Sequence, residues 1–190
     1  TIGPMARHVS DLARILAVTA SEVPGAAPMT GPDLGNFLPT LNDGVAGLRI
    51  GIPGNFYFDN CDDEIAEAVM TAVRTLEAQG AKLIEVDVAE AETTHQWATI
   101  QVYSDACAYH KERLDSHPEL FSKGVLDRML VGRTFTGVDY ADACRAREAW
   151  QRTLAALYQD IDVLASPTTP APPPPIIEDK SLLEATKDAS

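Results

Sequence analysis

The stretch that decides the fold runs from Leu48 to Val88. It opens with Leu48-Arg49-Ile50-Gly51-Ile52, a short apolar run stopped by Pro53-Gly54, which reads as a strand. Asp62 then stands where a side-chain oxygen caps a helix, and Ile65, Val69, Ala72, Val73 and Leu76 recur at helical spacing down to about Gln79. Gly80 holds the position past the last turn where helices commonly stop. Leu83-Ile84-Glu85-Val86-Asp87-Val88 is the returning strand. Strand, helix and strand joined this closely make a βαβ unit, whose strands run parallel and whose crossover is right-handed.

Toward the N-terminus, the spacing of Leu12, Ile15, Leu16 and Thr19 predicts a helix from Ser10 to Thr19, with Ser10 as N-cap and Asp11 favourably placed against the helix dipole. Ser21 to Asp43 carries Pro24, Pro28, Pro32 and Pro39 with Gly25, Gly31 and Gly35, and reads as a long surface connection. Loops of that length are uncommon inside a compact domain, so this one is expected to wrap something larger than the chain itself supplies. Toward the C-terminus the pattern is helical from Ala89 to Gln159. Three helices are expected: Glu92 to about Leu114, Ser122 to Val131, and Asp139, as N-cap, to about Tyr158. The last carries Ala143, Ala146, Trp150, Leu154 and Leu157 on one face. Ile161 to Ser166 reads as a buried strand ended by Pro167, and Pro172 to Pro175 as polyproline, with a helical turn near Leu182 to Lys187. The expected organisation is one α/β portion: residues 1–43 helix and loop, 44–88 the βαβ unit, 89–160 helical, 161–190 strand and Pro-rich tail.

The 190 residues are 45% hydrophobic and 23% charged, an ordinary globular composition long enough for a core. Fifteen Lys and Arg against 28 Asp and Glu leave a net charge of −13, which argues against a general phosphate-binding surface and therefore against nucleic acid as a partner. Cys61, Cys107 and Cys144 are odd in number and far apart, so neither a disulfide framework nor a cysteine zinc site is indicated, and a reducing cytoplasm is the expected compartment. No apolar run reaches the length of a membrane helix. The first residue is Thr1 rather than Met, and the abrupt opening reads as a processed product or an excised piece.

Several constellations carry chemistry in principle. Gly51-Ile52-Pro53-Gly54 follows a strand as a phosphate loop does, but it has neither the Gly-x-Gly-x-x-Gly nor the Gly-Lys-Ser/Thr pattern, and Asp59, Asp62, Asp63 and Glu64 repel phosphate there. A plain strand-to-helix turn is expected, with those carboxylates a solvated helix start rather than a calcium site. Cys107 and His110 share a helix face, yet no orienting group or oxyanion donor accompanies them, so a packed cysteine beside a surface histidine is preferred. His95, His110 and His117 lack metal-ligand spacing. Arg128, with Arg133, lies near turn residues, where an arginine either clamps a carboxylate or, the preferred reading on its own, forms a surface ion pair. Ser166-Pro167-Thr168-Thr169-Pro170 ends a parallel strand, where open α/β sheets bind ligands. Its hydroxyls are either ligand contacts or turn formers.

Taken in order, these residues resemble the amidase signature family. The resemblance rests on Thr1-Ile2-Gly3-Pro4-Met5-Ala6-Arg7 followed by Val9-Ser10-Asp11-Leu12-Ala13, on Leu48-Arg49-Ile50-Gly51 and on Gly80-Ala81. It continues through Asp139-Tyr140 opening a helix with Arg145 and Arg147, and through Asp162-Val163-Leu164 leading into Pro167-Thr168-Thr169-Pro170. It spans essentially the whole chain. It implies a portion of an α/β/α fold, with a partial mixed or parallel sheet covered by helices.

The resemblance further implies a parent enzyme that hydrolyses a small-molecule carboxamide to carboxylate and ammonia. That family uses a serine nucleophile, a second serine in a cis peptide and a lysine, with backbone amides holding the oxyanion. It implies no cofactor. The Gly-Ser-rich loop is missing from this sequence, and none of Lys82, Lys111, Lys123, Lys180 or Lys187 has the family's lysine context. No catalytic residue is therefore assigned, and the chain alone is expected to be inactive. Arg128 matches an arginine that holds a substrate carboxylate in the glutamine-dependent members, and Thr168 sits where the strand end approaches the pocket, so both are carried over as substrate contacts. The alternatives are the amidase subunit of a tRNA-dependent amidotransferase, and a non-catalytic α/β binding or scaffold module. Too few strands are present to close a large sheet, so self-association through an exposed sheet edge is expected.

Overall fold

The computed structural model describes residues 3–19 and 38–175, and the chain divides into two units, residues 1–46 and 47–190. Most of the connection expected over 21–43, and the turn expected at 182–187, lie outside the described residues.

The first unit holds helix α1, Val9–Thr19. It starts one residue earlier than expected: the His8 carbonyl accepts from the Asp11 and Leu12 amides, so Ser10 lies within the first turn instead of capping it. Ala13 is its buried residue, while Ile15 and Leu16 on the anticipated apolar face are 41% and 40% exposed. One helix and the turns over 38–46 are too little to cover an apolar stripe.

The second unit is built on the βαβ unit as expected. Strands β1 (Arg49–Pro53), β2 (Lys82–Val86) and β3 (Val163–Leu164) form a parallel sheet in the order β2-β1-β3, with Ile50 opposite both Leu83 and Val163. Helix α2 (Asp63–Ala78) connects β1 to β2. The Asp62 carboxylate accepts from the Glu64 amide at 3.0 Å and so caps α2. Gly80, at φ 101°, makes the reversal that a side chain resists, and its carbonyl accepts from the Gly47 amide at 2.8 Å. Ile50, Val73, Val88 and Ile161 form the tightest part of the core, each 3% exposed or less.

Strand β3 is shorter than the expected Ile161 to Ser166, and the reason lies in one side chain. The Asp162 amide donates to the Arg49 carbonyl at 2.9 Å, but the Arg49 amide donates to the Asp162 carboxylate at 2.8 Å rather than to a strand carbonyl. The Arg49 guanidinium returns to the same carboxylate at 2.7 Å and reaches the Gln159 carbonyl at 2.9 Å. An ion pair thus replaces the first rung of the ladder, and Pro167, which has no amide hydrogen, closes the other end.

Among the described residues, four further helices belong to this unit: α3 (Thr94–Tyr109), α4 (Lys111–Ser116), α5 (Lys123–Val131) and α6 (Gly137–Leu157). The single helix expected from Glu92 to Leu114 breaks at His110, whose ring stands edge-on to Tyr109 and Phe121 at centroid distances of 4.8 and 5.7 Å. The cap of α6 is Thr136, not Asp139. The Thr136 hydroxyl accepts from the Asp139 amide at 3.1 Å while the Asp139 carboxylate accepts from the Thr136 amide at 2.7 Å, a reciprocal capping box. Helix α3 packs against α6 on one side and α5 on another. The anticipated α6 face points inward: Ala143 is buried, and Trp150 meets Trp97 at 5.9 Å. Between these helices the buried Gln101 donates from Nε2 to Cys144 Sγ at 3.1 Å.

Candidate functional site

The carboxyl ends of parallel strands are where an open α/β sheet accepts ligands. Here β1 runs into Gly54, whose amide donates to the Val86 carbonyl at 2.9 Å, and then into Asn55. Asn55 Nδ2 donates to the Val88 carbonyl at 3.1 Å, and the Val88 amide donates to Asn55 Oδ1 at 3.0 Å. The amide side chain therefore acts as a short extra strand that ties the two strand ends together. The chain then folds back sharply, with Phe56 at φ 58° and Asn60 at φ 55°, and the Phe56 amide held by the Asp59 carboxylate at 2.8 Å. Burial, and then the nearby Tyr158, push the Tyr57 phenol above its usual range.

The Asp62 amide donates to the Pro170 carbonyl at 2.7 Å, which moors the segment after β3 to the start of α2. Between them lies an open groove of about 450 Å³, lined by Glu64, Ile65 and Val69 on the helix side and by Thr168, Thr169 and Pro172 on the other. Thr168 thus lies in the segment that follows β3 and on a groove wall. Thr168 and Thr169 bring two hydroxyls to an otherwise largely apolar surface, suited to a small ligand with one polar end. Of the acidic residues expected to be a solvated helix start, Asp63 and Glu64 stand exposed in the first turn of α2, while Asp62 caps the helix and Asp59 closes the loop before it, and among the described residues no group of His, Cys, Asp and Glu is arranged to hold a metal ion.

Arg128 does not line this groove. It lies in the last turn of α5, half-buried, and among the described residues no carboxylate or carbonyl pairs with it. The surface ion pair preferred on sequence grounds is therefore not made, although the chain carries 28 Asp and Glu. Its neighbour Arg133 does pair, with Asp115, which also accepts from Lys111 Nζ at 2.5 Å. Lys111 and then Arg133 hold the Asp115 carboxyl below the usual range. Asp115, and after it the Cys107 sulfur, hold Arg133 more firmly protonated than usual.

Cys107 and His110 do not form a catalytic pair. Cys107 is buried beside Arg133, and the His110 ring is engaged by the aromatic edges. A second open cavity, of about 370 Å³, lies at the α3–α4 break between Tyr109, His110, Arg113, His117 and Leu120. Sequence reading missed it, because it exists only where the helix breaks.

Comparison with known proteins agrees with this geometry. The Amidase family model matches residues 1–189. An amidase from Pseudomonas putida is 38% identical over 170 residues, covering 90% of this chain and 36% of its own length. A glutamyl-tRNA(Gln) amidotransferase subunit from Sulfurihydrogenibium sp. (strain YO3AOP1) is 28% identical over 195 residues, covering 89% and 40%. Among solved structures, a chain from an inhibitor-bound vestigial protein complex described as revealing the origins of an s-triazine catabolic enzyme superposes with a TM-score of 0.79. It is 28% identical and covers 92% of this chain and 37% of its own. A crystal structure of an amidase has a TM-score of 0.64 at 30% identity, covering 75% and 34%. The chain spans well under half the length of the relatives it matches. With the family pattern running from residue 1 to 189 and a parallel sheet and helical layer of matching fold, the chain belongs to the amidase signature family.

Proposed function

We propose that residues 1–190 are one α/β portion of a cytoplasmic amide hydrolase that converts a carboxamide and water to a carboxylate and ammonia. The catalytic serine, the cis-peptide serine and the lysine lie outside this chain. The serine oxygen attacks the amide carbon, ammonia leaves, and water then releases the acid from the ester. This portion supplies three strands of the sheet, the covering helices and part of the wall that receives the acyl side of the substrate. Thr168 contributes a hydroxyl from the segment just beyond β3. Arg128 contributes a guanidinium that pairs with a carboxylate on the substrate.

The observation that carries the reading is the match to an amidase at 38% identity over nine-tenths of this chain, above the 28% of the amidotransferase relative. The half-buried Arg128, which no carboxylate pairs with among the described residues, supports the substrate contact, since it leaves a guanidinium available to a carboxylate on the substrate. The same arginine gives weight to the second reading, the glutamine-hydrolysing part of an amidotransferase, in which it would bind the free carboxylate of glutamine.

Ammonia release from simple amides and from glutamine, measured for residues 1–190 and for the complete gene product, tests this. Activity is expected only in the complete protein. Activity in the short chain refutes the placement of the nucleophile, and glutamine hydrolysis that appears only with co-purifying partner proteins favours the second reading.

A further inference from the structure

Helices α3 and α5 approach closely at Gly132. Its backbone is ordinary right-handed helix, at φ −58° and ψ −23°, so nothing in its own conformation demands glycine. Its surroundings do. A Cβ placed there would fall inside the contact shell of the Tyr103 carbonyl oxygen and stand 3.0 Å from Cys107 Cβ. The obstructing group is α3 backbone, which cannot swing aside as a side chain can. Gly132 is buried, and just beyond it Arg133 anchors the chain to Asp115 of α4. Arg128 precedes Gly132 by four residues, one helical turn and a rise of about 6 Å, on the same face of the helix.

We propose that Gly132 is a positioning residue: by letting α5 close onto the Tyr103 carbonyl, it fixes where the Arg128 guanidinium stands and so sets the preference for substrates that carry a carboxylate. The inference rests on the reading of Arg128 as a substrate contact. A β-carbon at residue 132 forces α5 away from α3 at the turn that presents Arg128. A displacement on the order of 1 Å at a charge-pairing group costs one to two orders of magnitude in kcat/KM for the substrate that uses it. A substrate without the carboxylate does not feel the displacement at that group.

The test uses the complete gene product and two amides of equal length, glutaramate, which ends in a carboxylate, and valeramide, which ends in a methyl group. The unmodified protein is expected to prefer glutaramate. Arg128→Gln should abolish that preference. Gly132→Ala should raise the KM for glutaramate about tenfold with kcat retained, and so shrink the preference. Asp115→Asn, a surface change that frees Arg133 without adding bulk, should shrink it about two- to threefold, and it carries the test if the alanine variant does not fold. If Arg128→Gln abolishes the preference while a folded Gly132→Ala, or in its place Asp115→Asn, leaves it intact, the positioning role is overturned and the arginine reading stands. If the unmodified protein shows no preference for glutaramate, or Arg128→Gln leaves it unchanged, the arginine reading falls and the positioning role with it.

Discussion

Asn55→Ala should be among the most damaging single substitutions at the carboxyl end of the sheet. The Asn55 side chain satisfies both backbone groups of Val88, its amide at 3.0 Å and its carbonyl at 3.1 Å, and Val88 is wholly buried. Water cannot easily take over either partner. Each buried backbone group left unpaired costs about 1–3 kcal/mol, so the pair together should cost about 2–6 kcal/mol. For a domain of this size that lowers Tm by about 4–24 °C. Urea unfolding followed by the fluorescence of Trp97 and Trp150 reads it directly. Asn55→Asp separates the two bonds: the carboxylate still accepts from the Val88 amide but faces the Val88 carbonyl with no hydrogen to give. That variant should be impaired at neutral pH and should recover relative to the unmodified protein as the carboxyl protonates in acid. A loss below about 0.5 kcal/mol for Asn55→Ala would show that this tie does not hold the strand ends together.

Gly51→Ala places a methyl group 2.6 Å from Ile161 Cδ1, a side chain only 1% exposed, and the overpacking should cost about 1–3 kcal/mol in urea unfolding. Arg49, through its side chain and then its backbone amide, holds the Asp162 carboxyl below its ordinary value. The unfolded chain therefore binds the proton at a higher pH than the folded one. The stabilisation is complete above the ordinary carboxylate range and is lost as pH falls through the depressed folded value. Asp162→Asn should flatten that acid limb of a Tm-against-pH curve, and an unchanged limb would contradict the assignment. Among the described residues, strands β2 and β3 each leave one side of the sheet unpaired, and Val163 is 40% exposed, so residues 1–190 by themselves should self-associate. A monodisperse monomer in sedimentation at high concentration would refute this.

The βαβ unit was legible because each of its signals is local. An apolar run, a capping aspartate and a glycine past the last helical turn act through their nearest neighbours, and Asp62 and Gly80 do what such residues do anywhere. The features that escaped reading depend on partners far along the chain. Strand β3 is short because Asp162 meets Arg49 from 113 residues away, which no pattern within 161–166 reveals. The break at His110 depends on Phe121, and the need for glycine at 132 comes from a carbonyl on another helix. Arg128 shows the same division in the candidate site. Residue type made a surface ion pair the simplest expectation, and only the fold shows it half-buried with no carboxylate paired to it among the described residues.

Whether this chain shapes the substrate wall of an amide hydrolase whose nucleophile lies elsewhere is tested most directly by locating that nucleophile. The complete, active gene product is labelled with a serine-directed sulfonyl fluoride or fluorophosphonate, and the adduct is placed by peptide mass spectrometry. The expected result is loss of amide hydrolysis with a single modified serine outside residues 1–190. An inactivating adduct on Ser10, Ser104, Ser116, Ser122, Ser166 or any other serine of this chain would contradict it.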